Sequence, residues 1–160
     1  MELIIAPNGV LQIDDAKIIF RNFAGREDKY NREGDRNFAL LIPDRKIADM
    51  LVDEGWNVKI KDGRDEDDDE FIYLPVKVKF NDRGPNCYLI SGRAERKLDE
   101  ESVGIIDDID ISSVNLDIRP YDWEVNGKTG RAAYLSSIEV FQEIDRFGAK
   151  YQNRDDEYGE

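Results

Sequence analysis

Residues 115–141 read NLDIRPYDWEVNGKTGRAAYLSSIEVF, and the reading of the fold turns on them. Leu116 and Ile118 alternate with Asp117 and Arg119, and side chains along a strand repeat every two residues. Leu116 and Ile118 therefore face a core, while Asp117, Arg119, Tyr121 and Trp123 share the opposite face. Asn126-Gly127 is a hairpin signal, and Arg131 to Phe141 reads as the returning strand. An outward row of Arg, Tyr and Trp has two readings. The rings pack beneath a loop or a second sheet, or they stack on nucleobases with Arg beside phosphate.

The same period of two recurs along the chain. Ala16 to Phe23 and Asn37 to Ile42 read as strands, so RNFAGREDKYNREGDRNF, residues 21–38, is the connection of a hairpin. FIYLPVKVKF, residues 71–80, puts Ile72, Leu74, Val76, Val78 and Phe80 on one face. Phe71, Tyr73, Lys77 and Lys79 take the other, with Pro75 marking an edge or a bulge. Asn57 to Lys61 sets Val58 and Ile60 against Lys59 and Lys61. NDRGPN, residues 81–86, is a turn before a short strand from Cys87 to Ser91.

Helical signals are few. Asp44 is a candidate N-cap for a short helix to about Glu54, with Ile47, Met50 and Leu51 on one face and Gly55 behind it. Residues 99–109, DEESVGIIDDI, suggest a second short helix that Gly104 weakens. The pattern gives about seven or eight strands and one or two short helices, with no βαβ alternation. The expected class is mainly β, a small antiparallel barrel or curved sheet. Residues 1–145 form a single domain and 146–160 a polar acidic tail.

The chain has 160 residues and a formal net charge of −13, which argues at first against a polyanionic partner. The charge is concentrated, however. DGRDEDDDE, residues 62–70, carries a net −6, and DDEYGE, residues 155–160, a net −4. The remainder is −3, so a locally basic face is possible. Within residues 21–36, Arg21, Arg26, Lys29, Arg32 and Arg36 outnumber four acids, with Phe23 and Tyr30 interleaved. That segment either grips a flexible strand of nucleic acid or pairs its own charges.

Other chemistries find little support. There is no histidine, and a single Cys87 forms neither an internal disulfide nor a cysteine-rich zinc site. The acidic run lacks the spaced carboxylates and central glycine of an EF-hand loop. No phosphate-binding glycine loop and no nucleophile elbow occurs. The expectation is no catalytic residue, no metal and no cofactor. MELIIAPNGV lacks a cationic leader, and no apolar run is long enough to span a bilayer. An intracellular, cytoplasmic compartment follows as an expectation.

The stretches RNFAGREDKYNREGDRNF, LISGRAERKLDEESVG (residues 89–104) and RPYDWEVNGKTGRAAYL (residues 119–135) resemble bacteriophage single-stranded DNA-binding proteins. Outward aromatics with basic residues and an acidic C-terminal tail strengthen the likeness. The resemblance implies an oligonucleotide-binding (OB) fold, though one with more than its usual five strands. It implies a protein that coats single-stranded DNA in phage replication or recombination, in the host cytoplasm and possible as a homo-oligomer. Tyr73, Tyr121 and Trp123 would then stack on bases. Phe23, Arg26, Lys29, Tyr30, Arg36, Lys59, Lys61, Lys77, Lys79, Arg93 and Arg119 would complete the contact surface. The tail residues Asp155, Asp156, Glu157 and Tyr158 would recruit replication or recombination proteins. The rival reading is an acidic interaction module that mimics DNA and has no enzymatic activity.

Overall fold

The computed structural model describes residues 1–61 and 71–144. The acidic run and the tail with Asp155, Asp156, Glu157 and Tyr158 lie outside the described residues. The strands are β1 (Glu2–Ile5), β2 (Leu11–Ala16), β3 (Ile18–Asn22), β4 (Arg36–Ile42), β5 (Lys59–Lys61), β6 (Phe71–Val78), β7 (Asn86–Ser91), β8 (Ala94–Leu98), β9 (Ile111–Val125) and β10 (Lys128–Gln142). One α-helix, α1 (Arg45–Asp53), follows β4, and a 3-10 turn at Val103–Asp107 precedes β9. No helix among the described residues is long and apolar enough to cross a membrane.

The hydrogen-bonded path runs β1-β2-β9-β10-β6-β4-β3, with β5 beside β6 and the β7–β8 hairpin beside β10. Its last member, β3, follows β2 in sequence with only Lys17 between them. Leu11 to Asn22 is thus one bent strand whose first half pairs with β9 and whose second half pairs with β4. The sheet curls until the bent strand borders both β9 and β4. The bent strand, β4, β6, β9 and β10 make the five-stranded OB-like unit, and β1, β5, β7 and β8 are additions. β10 runs parallel to β6 and to β7, and the other pairings are antiparallel.

Alternation places the core where the sequence puts it. Ile72, Leu74, Val76 and Val78 of β6 are buried, as are Leu116 and Ile118 of β9. β10 departs from strict alternation: a bulge between Leu135 and Ser137 shifts the register. Ala133 and Leu135 before it, and Ile138 and Val140 after it, therefore all point inward. In β5 Ile60 is exposed as Lys59 and Lys61 are, because this three-residue strand pairs only with β6.

The two Arg-Asn-Phe copies mark paired strand ends. Asn22 lies opposite Asn37, and Phe23 stacks on Phe38 with centroids 5.1 Å apart and an interplanar angle of 12°. Both rings are buried. Arg21 donates to the carbonyls of Ile106 (2.7 Å) and Ile109 (2.8 Å), and the Asp107 carboxylate accepts from the amides of Phe23 and Ala24. The 3-10 turn thereby anchors the root of the 24–35 loop. Gly104 within it lies in close approach to the loop: a Cβ there would meet that of Ala24 at 3.1 Å, tighter than ordinary contact.

The helix forms as its cap predicts, the Asp44 side chain accepting from the Ile47 amide at 2.8 Å. The strands missed by sequence are β1, β2 and β8. In β2 the alternation is cut short at Asp14-Asp15, where Asp15 takes a positive φ. In β8 only Leu98 is buried, so AERKL carries no period-two signal.

Candidate nucleic-acid interface

Residues directly opposite each other in neighbouring strands share a face. Asn37 of β4 lies opposite Lys77 of β6, Lys77 opposite Tyr134 of β10, and Tyr134 opposite Arg119 of β9. Four strands thus present one row, Asn37-Lys77-Tyr134-Arg119, on the outer face of the sheet. Two residues along β9 and β10, Tyr121 opposes Ala132, and two further on Trp123 opposes Gly130. On the far side of β6, Tyr73 opposes Lys59.

The row is held by ring and cation contacts. The Arg119 guanidinium lies 5.0 Å from the Tyr134 ring centroid, and Lys77 Nζ lies 5.8 Å from it. Tyr121 meets Tyr134 edge to face at 5.6 Å. Tyr121 and Trp123 are exposed, at 53% and 40%. The rings of the β9–β10 hairpin are therefore not covered by a loop or a second sheet among the described residues.

Three concavities follow this face. A groove of about 900 Å³ is lined by Lys59, Tyr73, Lys77, Trp123 and Arg131, among others. It shares Asn37 and Lys77 with a second, of about 610 Å³, that Arg36, Lys79, Phe80 and Tyr134 also line. The second shares Lys79 with a third, of about 360 Å³, reaching Arg83 and Arg119. Together they form a continuous course between the β9–β10 hairpin and the 81–86 turn, with the 24–35 loop along one side.

The charges along this course are unequal. Lys59, Lys77, Lys79 and Arg119 have no ion-pair partner among the described residues. Arg36 donates to the Glu100 carboxylate (3.3 Å) and carbonyl (3.1 Å) and lies over Phe80. Arg131 holds Asp122 in a two-point pair (2.7 and 3.3 Å) and lies 5.5 Å from the centroid of the buried Trp56 ring. The Arg131 hydrogen bond lowers the Asp122 pKa below the ordinary carboxylate value, and Asp122 in turn raises that of Arg131. Of these four, Lys59 lies on β5, Lys77 on β6, Lys79 just past its end and Arg119 on β9.

The 24–35 loop is built on asparagines. Asn31 Nδ2 lies 2.9 Å from the carbonyls of Arg26, Arg32 and Asp35, and its Oδ1 accepts from Asn37 at 2.8 Å. Asn22 closes the other side with two bonds to the Arg26 backbone. The loop side that borders the second concavity is Asn31 and Gly34 to Arg36.

Of the residues expected from sequence, Lys59, Tyr73, Lys77, Lys79, Arg36, Arg119, Tyr121 and Trp123 come together on this face. Phe23 does not: it is fully buried against Phe38, so it offers no ring to a ligand. Arg93 sits in the β7–β8 turn, on the hairpin beside the other end of β10, and lines none of the three concavities. Arg26 turns to Asp108 (3.5 Å), while Lys29 lies over the ring of Tyr30, which is 89% exposed. Arg26, Lys29 and Tyr30 line none of these concavities either. Lys61 lies beside Phe20 and Phe71, at the β5 end. Tyr134 and Asn37 escaped the sequence reading. A two-residue Asn126-Gly127 turn pairs Val125 with Lys128, and counting back from it sets Tyr134 opposite Arg119.

Among the described residues no group of His, Cys, Asp and Glu could hold a metal ion. Comparison with known proteins gives a consistent picture. The family model for the phage ssDNA-binding domain matches residues 4–156. Three solved structures, all of the single-stranded DNA-binding protein from bacteriophage Enc34, share the fold at low identity. The C-terminal truncation aligns at TM-score 0.53 and 15% identity, over 89% of this chain and 91% of that one. Another structure of that protein gives 0.52 and 16%, over 92% and 94%. Its complex with ssDNA gives 0.54 and 16%, over 91% and 93%. A search of curated proteins returns no match.

Proposed function

The chain belongs to the phage ssDNA-binding domain family, and on that premise we propose that it binds single-stranded DNA along the outer face of β4, β6, β9 and β10. The observation that carries this reading is the Asn37-Lys77-Tyr134-Arg119 row, continued by Tyr121 and Trp123. Aromatic rings alternate there with cations that lack carboxylate partners among the described residues. Every base has a π-face, so stacking on Tyr73, Tyr121 and Trp123 tolerates any sequence and contributes about 1–3 kcal/mol per base. Lys59, Lys77, Lys79 and Arg119 meet the phosphates, with Asn31 and Arg36 bordering the strand on the loop side. Lys29 and the exposed Tyr30 at the loop tip would close over it.

An acidic chain can do this because exposed charges are screened beyond about 8–10 Å at ordinary salt. The field a phosphate meets is that of the nearest lysines, and the net charge matters less. The role that fits is a binding protein without enzymatic activity that coats ssDNA during phage replication or recombination in the host cytoplasm. Residues 155–158 of the tail would serve as the contact for replication or recombination proteins.

The test is a titration with oligo-dT followed by tryptophan fluorescence, since Trp123 lies in the groove. Quenching that saturates and is reversed by salt supports the reading. No response at low salt removes it. An RNA of the same length, run in parallel, sets the DNA-over-RNA preference.

A further inference from the structure

Phe20 is out of place for a strand residue. Ile18 of β3 pairs with Leu40 and Ile19 with Ala39, but Asn22 pairs with Asn37, so Phe20 and Arg21 together oppose the single residue Phe38. This is a bulge, a device that re-aims a side chain. Phe38 points into the core. Simple alternation would send Phe20 inward beside it, as Leu40 sends Ile18. Instead Phe20 takes a φ of +53°, a left-handed conformation in which a bulky residue is an outlier. Its ring emerges on the outer face, 54% exposed.

The ring emerges among partners suited to a base. Its centroid lies 5.5 Å from that of Tyr73, edge to face, and 6.0 Å from that of Phe71. Lys61 Nζ lies 5.8 Å from the Phe20 ring and 5.9 Å from the Phe71 ring. Phe20 also lines the same groove as Tyr73, Lys59 and Trp123, at its β5 end. Burial alone does not account for this arrangement: the fold spends a strained backbone to move a large apolar ring from core to solvent. A persistent strained residue of this kind points to a task at that position.

We propose that Phe20 and Lys61 form a terminal stacking subsite for single-stranded DNA, extending the groove one base beyond Tyr73. The proposal rests on the groove reading above. The occupant is a nucleobase, for the site continues a groove whose lysines lack carboxylate partners among the described residues, and it carries its own cation, Lys61, for the adjoining phosphate. Phe71 and Tyr73 hold the Phe20 ring through tilted and edge-to-face contacts.

The test measures affinity by fluorescence anisotropy for a ladder of oligo-dT lengths, using the full chain and Phe20→Ala, Phe20→Leu and Lys77→Ala. The subsite predicts that Phe20→Ala and Phe20→Leu each weaken long oligomers by about fivefold or more. The shortest oligomers that still bind lose little, and the melting temperature holds. Phe20→Leu equal to wild type would show a merely apolar role and overturn the proposal. Equal loss at all lengths with a lowered melting temperature would make Phe20 a support for Tyr73, and also overturn it. If Lys77→Ala weakens binding and neither Phe20 variant does, the subsite falls and the groove stands. If all three leave binding unchanged, the groove reading falls with it.

Discussion

The indole of Trp123 lies across the backbone of Gly130, its partner on the neighbouring strand. A Cβ built at Gly130 would stand 2.6 Å from Cε2 and 2.9 Å from Nε1 of that ring. Glycine is thus what lets the indole lie flat against β10 and present its other side to the groove. Gly130→Ala should lift the ring and weaken oligo-dT binding about fivefold, the size of one partial stacking contact. Stability should hold, since alanine is no worse than glycine within a strand. Combining Gly130→Ala with Trp123→Ala should add little to Trp123→Ala alone, because both act through the same ring. Anisotropy and thermal melts on the four proteins check this.

Lys77 of β6 and Lys79, one residue past the end of that strand, are both exposed, and neither has a carboxylate partner among the described residues. Their cations are free to release counterions from DNA. Lys77→Ala and Lys79→Ala should each weaken binding to dT, dC and mixed oligomers alike. Each should also make the slope of log K against log salt shallower by about 0.7. A slope unchanged in both variants would place the phosphates elsewhere.

Asn31 links the loop to both strand ends through the backbone carbonyls around it and the Asn37 amide. Asn31→Ala removes these bonds, each contributing about 0.5–1.5 kcal/mol net. The global melting transition should fall only modestly, because the Phe23–Phe38 stack and the Asp107 anchor remain. Amide exchange across residues 24–35 should accelerate strongly, and ssDNA should bind more weakly. Hydrogen exchange read by mass spectrometry separates this local loosening from global unfolding.

Cys87 is a buried thiol in β7, and burial pushes its pKa up to about 12. An unfolded thiol ionises near 8.5. Between these values the folded chain keeps a proton that the unfolded chain releases, so stability falls as pH rises. The contribution is full below about pH 8.5 and is lost at up to about 1.4 kcal/mol per pH unit above it. Denaturant unfolding from pH 7 to 11 should show this decline in the native chain, and less of it in Cys87→Ala. Thiol reagents should leave the native protein unlabelled and label it on unfolding.

Much of the interface is legible in the primary structure because strand faces are a local property. Arg119, Tyr121 and Trp123 share a face by period two alone, as do Tyr73, Lys77 and Lys79, and the structure keeps both sets outward. Phe23 shows the limit of such reasoning. Its place at a strand end beside a charged loop reads as contact surface, yet the hairpin brings it onto Phe38, and burying two stacked rings outweighs the polar surroundings. Arg93 shows another limit: its charged neighbourhood resembles that of Lys59, but β7 and β8 attach to the other end of β10.

The sequence by itself determined a mainly β chain, the hairpins at residues 24–35 and 126–127, and which residues of β6 and β9 look outward. These follow from the two-residue repeat of extended backbone and from turn chemistry, both local. Tertiary structure alone decided that Lys77, Tyr134 and Arg119 fall in one row, because register between β6 and β10 is a pairing of segments far apart in the chain. It alone turned Phe20 out of the core, for a bulge reverses a residue's face without any change in the pattern of residue types.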